Sequence, residues 1–536
     1  MRLNEFSTKN GRDVEMEDFT VFVGPNNAGK SQTLRDIRSI VTNYNESDSV
    51  IIDDFDFELP NGYEDAVANL ETFDPQQAYQ EETVRGLTSE LQGTTDVGVR
   101  QQDINRIDEG DAEVIINTFG QFYVSFLDAS SRLEIAGETD SYDTEQSHAQ
   151  DLVQRLLEGD EERKELREAF NDTFGQDIRL DDSNYRNFVL RVSGDFFGVD
   201  EEIKQAPESI RQYGKLDDQG DGYKSFVGIV LSLLFSKNRI VLIDEPSAFL
   251  HPPQARDAGR LISNLANQIP EQVVVATHNS NFLSGVLRER DEVCVYRLNR
   301  SDNQTEFNRI SSETTKELSS DPLLSTQRVI EAVFNLGVVV CEADSDKLIY
   351  QSVAVDKLQS DELMFIHAHN KQTIHKITSV LREASIPVVA IPDLDILKRE
   401  PHQDDLDRLL SSMGNDDHSD LINMKDDIHK TIESSNRSWK REDDELGIKQ
   451  LGIDGIPENS RKKAWKLVSD ATKFGLFIVH EGELEEWFPH SGKGSEWVIE
   501  ALQKIEDGEY DKKLDMFIKY IDQNLRRQYS SLATEK

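Results

Sequence analysis

The stretch Gly24-Pro-Asn-Asn-Ala-Gly-Lys30-Ser31 lies between an apolar run, Phe19-Thr-Val-Phe-Val23, and a segment where Leu34, Ile37, Ile40 and Val41 recur at helical spacing. A strand, a glycine-containing loop and a helix in that order form a phosphate cradle. Backbone N–H groups at the helix start point at the anion, and the helix dipole favours negative charge there. The spacing GxxxxGK[ST] then assigns roles. Gly24, Asn26, Asn27 and Gly29 shape the loop, Lys30 reaches the β- and γ-phosphates, and Ser31 ligates Mg²⁺. A chance match to a glycine-rich turn would lack the flanking strand and helix, so the chain is expected to bind a nucleoside triphosphate.

Two later segments supply what hydrolysis needs. Arg239-Ile-Val-Leu-Ile243 reads as a strand ending in Asp244-Glu245-Pro246. An aspartate there can hold the Mg²⁺ shell, and the next carboxylate, Glu245, is placed to orient and deprotonate water. Gln272-Val-Val-Val-Ala276 reads as another strand, followed by Thr277-His278-Asn279. A lone histidine at a strand end is usually a satisfied polar residue. Its position after Asp244-Glu245 favours a contact with the γ-phosphate.

GPNNAGKS, LIDEPSAFLHP and ATHNSNFL together resemble the ABC class of ATPases, in the branch that holds RecF, SMC-like and OLD-family proteins. That resemblance implies a composite site, in which a signature loop of one subunit closes on the nucleotide of another. Gly220-Asp-Gly-Tyr-Lys-Ser225 stands in the corresponding place, before an apolar helix from Phe226 to Phe235, and departs from the LSGGQ form of transporters. Gly220, Gly222 and Ser225 are its candidate nucleotide contacts, with a plain helix-capping turn as the rival reading. His251 matches a further family position and on its own chemistry is equally structural.

A second set of acids occupies the C-terminal third. Gly337-Val-Val-Val-Cys341 leads to Glu342, residues 344–358 read as a helix, and Leu363-Met-Phe-Ile366 as a strand. A helix carrying Ile374, Ile377, Val380 and Leu381 follows, then Pro387-Val-Val-Ala-Ile391, ending at Asp393-Leu-Asp395. This βαβαβ pattern predicts a parallel sheet with right-handed crossovers, whose sites lie beyond the strand C-termini. Glu342, Asp346, Asp393 and Asp395 all fall there. A fourth strand, Phe474-Gly-Leu-Phe-Ile-Val479, leads into Glu481-Gly-Glu-Leu-Glu-Glu486 and adds Glu483 and Glu485. Clustered carboxylates repel unless a cation joins them, and oxygen-only donors suit Mg²⁺ or Mn²⁺. In so acidic a chain, solvated surface acid is the competing explanation for any single motif.

The order strand-Glu, strand-DxD, strand-GELE resembles a TOPRIM domain, the metal-dependent fold of topoisomerases, primases and OLD-family nucleases. The family usually has glycine after the first glutamate, where this chain has Ala343. Asn370-Lys371 stands where many relatives have Gly-Lys. The OLD nucleases also use a lysine beyond the last acidic motif, and Lys493 is the candidate, with Lys504 competing. The expected fold is therefore α/β: an ABC-type P-loop ATPase head over residues 1–320, with an inserted elaboration at 45–211. A linker at 321–335, a parallel-sheet TOPRIM domain at 336–490 and a helical segment at 491–536 follow. The whole resembles an OLD-family ATP-dependent endonuclease of the Gabija type. That implies ATP and Mg²⁺ or Mn²⁺ as cofactors, a nucleic-acid target (DNA before RNA), at least a homodimer, a helicase or other defence partner, and a role against phage. Two other readings stay open: an SMC- or RecF-like scaffold with a silent acidic pocket, and an effector cutting tRNA.

Bulk composition narrows the setting. Among 536 residues, 102 acids against 59 bases give a formal charge of −43, spread along the whole chain. Such charge disfavours broad non-specific contact with nucleic acid, and it suggests a salt-rich cytoplasm where screening removes self-repulsion. The cysteines Cys294 and Cys341 lie in apolar segments and read as buried free thiols of a reducing compartment. No apolar run approaches a membrane span, and Met-Arg-Leu-Asn-Glu is no secretory signal. Within the elaboration, 114–119 and 122–127 read as strands and 148–174 as one charged helix. Residues 298–303 read as a polar turn and 310–321 as a Ser/Thr-rich link.

Overall fold

A computed structural model describes the chain except residues 45–48, 74–80, 144–147, 185, 198–207, 269–270, 291–292, 302–303, 321–328, 359–362, 399–403, 415–416, 436, 441–445, 489–496 and 533–536. The chain divides into two compact units, Met1–Ser312 and Glu313–Lys536.

The first unit is organised by a six-stranded sheet. Its order is Gln304–Ile310, Cys294–Ser301, Phe19–Val23, Gln272–Ala276, Ile240–Asp244 and Val124–Leu127. The last five run parallel, and only the outermost pair is antiparallel. All five residues of Phe19–Val23 and of Gln272–Ala276 are buried. Continuous apolar strands of this kind belong to sheets covered on both faces. On one face the helix Lys30–Thr42 buries Leu34, Ile37, Ile40 and Val41 against Phe22, Leu242, Val274 and Leu298. Burial of such side chains stabilises by about 1.5–3 kcal/mol each, which fixes the helix start over the strand ends.

Five expectations for this unit and the link after it change. Residues 114–119 are helical, within Ala112–Tyr123, because Asp111 caps that helix and Val114, Ile115, Phe119 and Phe122 form one apolar face on Tyr63, Val84 and Val99. The strand is only Val124–Leu127. The expected helix at 148–174 is two pieces, Leu152–Arg155 and Asp160–Phe174, with Gly159 capping the second. Residues 298–301 continue the strand Cys294–Ser301, and the link after Ile310 contains the helix Ser312–Ser320.

The second unit holds a three-stranded parallel sheet in the order Leu363–His367, Gly337–Cys341, Val388–Ile391. Its helices Asp344–Leu358 and Lys371–Glu383 stand where the apolar spacing predicts them. The expected fourth strand is reduced to isolated parallel bridges, Leu476 with Ala390 and Val479 with Asp393. Gly475 in left-handed backbone just before it, and the turn at Gly482 just after it, leave no room for a regular ladder. Before that segment, the chain makes a helical excursion through Asp405–Met413, Ser419–Glu433 and Glu458–Ala471. Both cysteines are buried free thiols.

Candidate functional site

The loop after Phe19–Val23 is held in a shape that needs glycine. Gly24 has φ 137° and Gly29 φ 103°. A Cβ on Gly24 would lie 2.3 Å from the Leu298 carbonyl oxygen, and one on Gly29 2.5 Å from Thr305 Oγ1. Gly29 caps the helix Lys30–Thr42, so the free N–H groups of its first turn open onto the loop. Asn26 and Asn27 are exposed at the loop tip, and Asn27 also has positive φ. Lys30 is buried, and its ammonium donates to the carbonyls of Gly24 and Pro25 at 2.9 Å each. Burial lowers its pKa, against Glu245 and Asp244, which raise it.

Sheet order brings the remaining pieces to this loop. Ser31 Oγ donates to Asp244 Oδ1 at 2.8 Å, so two oxygens 213 residues apart in sequence converge where one cation could use both. Burial pushes the Asp244 carboxyl above the ordinary aspartate value. Glu245 has φ 51°, a left-handed backbone that costs a non-glycine residue about 1–3 kcal/mol and is common at functional positions. Its N–H donates to the Ala276 carbonyl at 2.8 Å. Its carboxylate lies 2.7 Å from His278 Nδ1 and accepts from the His278 backbone N–H at 3.2 Å. That hydrogen bond raises the His278 pKa above the usual histidine value.

The three candidate contacts of the signature-like segment differ in setting. Gly220 is the exposed N-cap of the helix Asp221–Leu234, and Gly222, its second residue, is partly exposed. Ser225 is fully buried and accepts a hydrogen bond from Arg132 Nε at 3.0 Å, so its hydroxyl faces inward. His251 is the exposed N-cap of Pro252–Leu265, and its N–H donates to Gln254.

Sequence reasoning missed Arg132. Its side chain is fully buried, and it also donates to the carbonyls of Leu127, Asp244 and Glu245 at 3.1, 2.6 and 3.0 Å. Burial pulls its pKa down to about 10, and Asp244, Asp128 and Glu245 oppose that. Arginine five residues beyond a short strand carries no signal until the fold brings Asp244 beside it.

In the second unit, the ends of the parallel strands bring acids together as expected. Glu342 follows Gly337–Cys341, Asp393 and Asp395 follow Val388–Ile391, and buried Glu483 lies beyond the bridge segment. Burial, then Asp395, pushes the Glu342 carboxyl up. Asp393 is pushed up to about 7 by burial first and Glu342 second. Among the described residues nothing hydrogen-bonds the buried Oε2 of Glu342. Asp346 is turned to its own helix start, accepting from Ala343 N–H at 3.0 Å and Ser345 Oγ at 3.1 Å. Glu485 acts on it only electrostatically, raising its pKa after burial has done so.

The centre of this cluster is a lysine. Lys449 Nζ lies 3.2 Å from Asp393, 3.5 Å from Asp395 and 3.7 Å from Glu483. Lys371 Nζ is 3.8 Å from Asp395 and 3.9 Å from Asp405. Among the described residues no group of three His, Cys, Asp or Glu side chains is set to hold a metal ion. The donors themselves, carboxylate oxygens with one buried oxygen unpartnered, are of the kind that Mg²⁺ or Mn²⁺ takes. Lys493, the lysine expected here, lies outside the described residues.

Residues 19–284 match a family model described as an AAA domain, putative AbiEii toxin, type IV TA system. The Old nuclease of Escherichia phage P2 is 21% identical over 278 residues, an alignment spanning 48% of this chain and 45% of that protein. The chain thus spans under half the length of this curated relative. Similar solved structures include the SMC head domain from Thermotoga maritima, at 17% identity and a TM-score of 0.30, covering 58% of this chain and 100% of that one. Another is an Smc head domain with an extended coiled coil, bound to the C-terminal domain of ScpA, from Pyrococcus furiosus. It has 11% identity and a TM-score of 0.33, covering 59% and 98%. Among the described residues no helix is long and apolar enough to cross a membrane. With phosphate loop, strand-end acids and histidine at one edge of a parallel sheet, residues 19–284 form a P-loop ATPase domain similar to that AAA family.

Proposed function

We propose that the chain is an ATP-hydrolysing, divalent-cation-dependent nuclease of the OLD type, an ABC-type ATPase followed by a TOPRIM-like nuclease domain at 336–490. In the first unit, Gly24, Asn26, Asn27, Gly29 and Lys30 bind the phosphates of ATP, and Ser31 with Asp244 holds Mg²⁺. Glu245 orients and deprotonates the attacking water, and His278 restrains that carboxylate. Gly220 and Gly222 are offered to the nucleotide of a second copy, so the working species is at least a homodimer.

In the second unit, Glu342, Asp393, Asp395 and Glu483 would hold Mg²⁺ or Mn²⁺. The cation supplies Lewis acidity at a phosphodiester. The carboxylates fix its position, and Lys371 and Lys449 supply the positive charge nearest that position. The target is nucleic acid, DNA before RNA, in a cytoplasmic defence setting where a helicase or other partner acts alongside. The observation that carries the reading is the convergence of Glu342, Asp393, Asp395 and Glu483 on one sheet end around Lys449, with Lys371 beside Asp395.

The test is plasmid nicking by the purified chain with Mg²⁺ or Mn²⁺, at low and molar salt. Glu342→Ala, and the pair Asp393→Ala with Asp395→Ala, should abolish cleavage and leave ATP hydrolysis in place. Cleavage by Glu342→Ala at the wild-type rate would remove the nuclease assignment. One observation favours the alternative of a silent scaffold: Lys449 partly neutralises Asp393, Asp395 and Glu483. Wild-type protein that hydrolyses ATP and binds DNA but never cuts would establish that alternative.

A further inference from the structure

We infer that Lys449 is a resident counter-cation of the acidic cluster, one that a divalent ion must displace in order to bind. The inference rests on reading that cluster as a cation site, and it adds a competition which that reading does not contain.

Geometry carries it. An ammonium 3.2–3.7 Å from carboxylates of Asp393, Asp395 and Glu483 stands where a shared metal would stand. A Mg²⁺ bound by these oxygens would lie about 2.1 Å from each. Nζ and metal therefore cannot occupy the place together, and at any nearby separation they repel. The backbone that carries the lysine is itself held in place. Lys449 N–H donates to the Trp439 carbonyl at 3.2 Å, Ile448 N–H to Ser438 at 2.9 Å, and Ile453 N–H to His480 at 3.0 Å. Gln450 Nε2 donates to Glu483 Oε1 at 3.4 Å, pinning the neighbouring residue to the same carboxylate. The segment is thus seated on the loop that carries Glu483.

Charge accounting points the same way. Glu342, Asp393, Asp395 and Glu483 share one strand-end pocket, and Glu342 keeps a buried oxygen without a hydrogen bond. Among the described residues, removing Lys449 would leave Lys371 as the cation beside these acids. With it, three carboxylates are partly neutralised, and the acids can stay close before any metal arrives. The same charge then opposes metal entry. With a divalent ion held by Glu342, Asp393, Asp395 and Glu483, the displaced ammonium would stay tethered beside the site and could pair with a phosphate.

The experiment is Mn²⁺ titration of the full chain, followed by the free Mn²⁺ resonance, on wild type, Lys449→Met, Lys449→Arg and Glu342→Ala. Thermal melts with and without Mn²⁺ accompany it. Lys449→Met should bind Mn²⁺ tighter by about tenfold or more, because one nearby positive charge is gone. Its metal-free melting temperature should fall below wild type and recover with Mn²⁺. Lys449→Arg, which keeps the charge, should bind no tighter than wild type. Unchanged or weaker binding by Lys449→Met, with wild type binding and Glu342→Ala not, overturns the inference and leaves the nuclease reading intact. Lys449→Met that stays unfolded even in saturating Mn²⁺ also overturns it, making the lysine purely structural. If wild type and Lys449→Met both bind no Mn²⁺, or Glu342→Ala binds as wild type does, the cation reading itself falls.

Discussion

Arg132 Nε lies 3.0 Å from Ser225 Oγ, while the same guanidinium holds the carbonyls of Asp244 and Glu245 at 2.6 and 3.0 Å. One buried side chain therefore joins the helix Asp221–Leu234 to the backbone that sets the Glu245 carboxylate. Any shift of that helix is felt at Glu245 through a planar group with a fixed fork of donors. Because burial lowers its pKa only to about 10, the guanidinium is still charged near neutrality.

Arg132→Lys removes the fork and keeps the charge. ATP turnover should fall about a hundredfold, the cost of misplacing a catalytic group by about an ångström. Nucleotide affinity should change far less, since Lys30, Ser31 and the loop are untouched. Separate measurement of kcat and of nucleotide Kd checks this. Parallel loss of both would mean that Arg132 only holds the fold together.

The Glu245–His278 pair makes turnover depend on pH. The hydrogen bond to Glu245 raises the His278 pKa, so the imidazolium–carboxylate pair persists below that raised value. Its stabilising effect is full below the unfolded value of 6.5 and is lost as pH climbs through the folded one. While the pair is intact, the Glu245 carboxylate is held by the imidazolium. Turnover should therefore rise with pH through a value above the ordinary 6.5 of histidine. His278→Gln should flatten that limb, and Glu245→Gln should bind ATP yet hydrolyse it hardly at all. Lys30→Ala should lose tight ATP binding. Normal turnover in Glu245→Gln removes its assigned role.

These two settings also mark what a sequence can carry. The loop 24–31, the strand before Asp244 and the strand before His278 were legible because each is local: apolar run, turn chemistry, helix period. The same holds for the strand ends at Glu342 and Asp393. Residues 114–119 were misread because β-branched residues imitate a strand, and the Asp111 cap with packing on Val84 and Val99 decides for a helix. Arg132 and Lys449 were invisible for another reason. Arg132 is 93 residues from Ser225, and Lys449 is 54 from Asp395 and reaches it only after a helical excursion. No period or spacing records such a meeting.

Salt should stabilise this chain. Formal charge −43 means net self-repulsion, and raising ionic strength from 0.1 to 1 M shortens the screening length from about 10 to about 3 Å. The same salt weakens exposed pairs such as Arg309 with Glu15, but these are worth about 0–1 kcal/mol each. Repulsion among the excess acids outweighs them. The melting temperature and the ATPase rate should both be higher in molar KCl than in dilute buffer. A fully folded protein most active at low ionic strength contradicts this.

Gly482 is the position where one methyl group reaches the acidic cluster without touching a carboxylate. Its φ is +112°, and an added Cβ would lie 2.2 Å from the Lys449 carbonyl oxygen, a backbone atom that cannot rotate away. Leu394 N–H donates to the Gly482 carbonyl at 2.9 Å, so the strain spreads to the segment holding Asp393 and Asp395. Gly482→Ala should cost about 2–5 kcal/mol, combining left-handed backbone with overpacking. Gly508→Ala is the control within the same unit. Its φ is +72°, but the nearest atom is the flexible Lys512 Nζ at 3.5 Å, leaving backbone strain alone, about 1 kcal/mol. Denaturant melts of the two variants, with ATP binding as the readout for the first unit, separate the effects. A larger loss for Gly482→Ala with ATP binding intact is expected. Equal losses would mean that the close seat of Lys449 on the 480–483 loop contributes nothing.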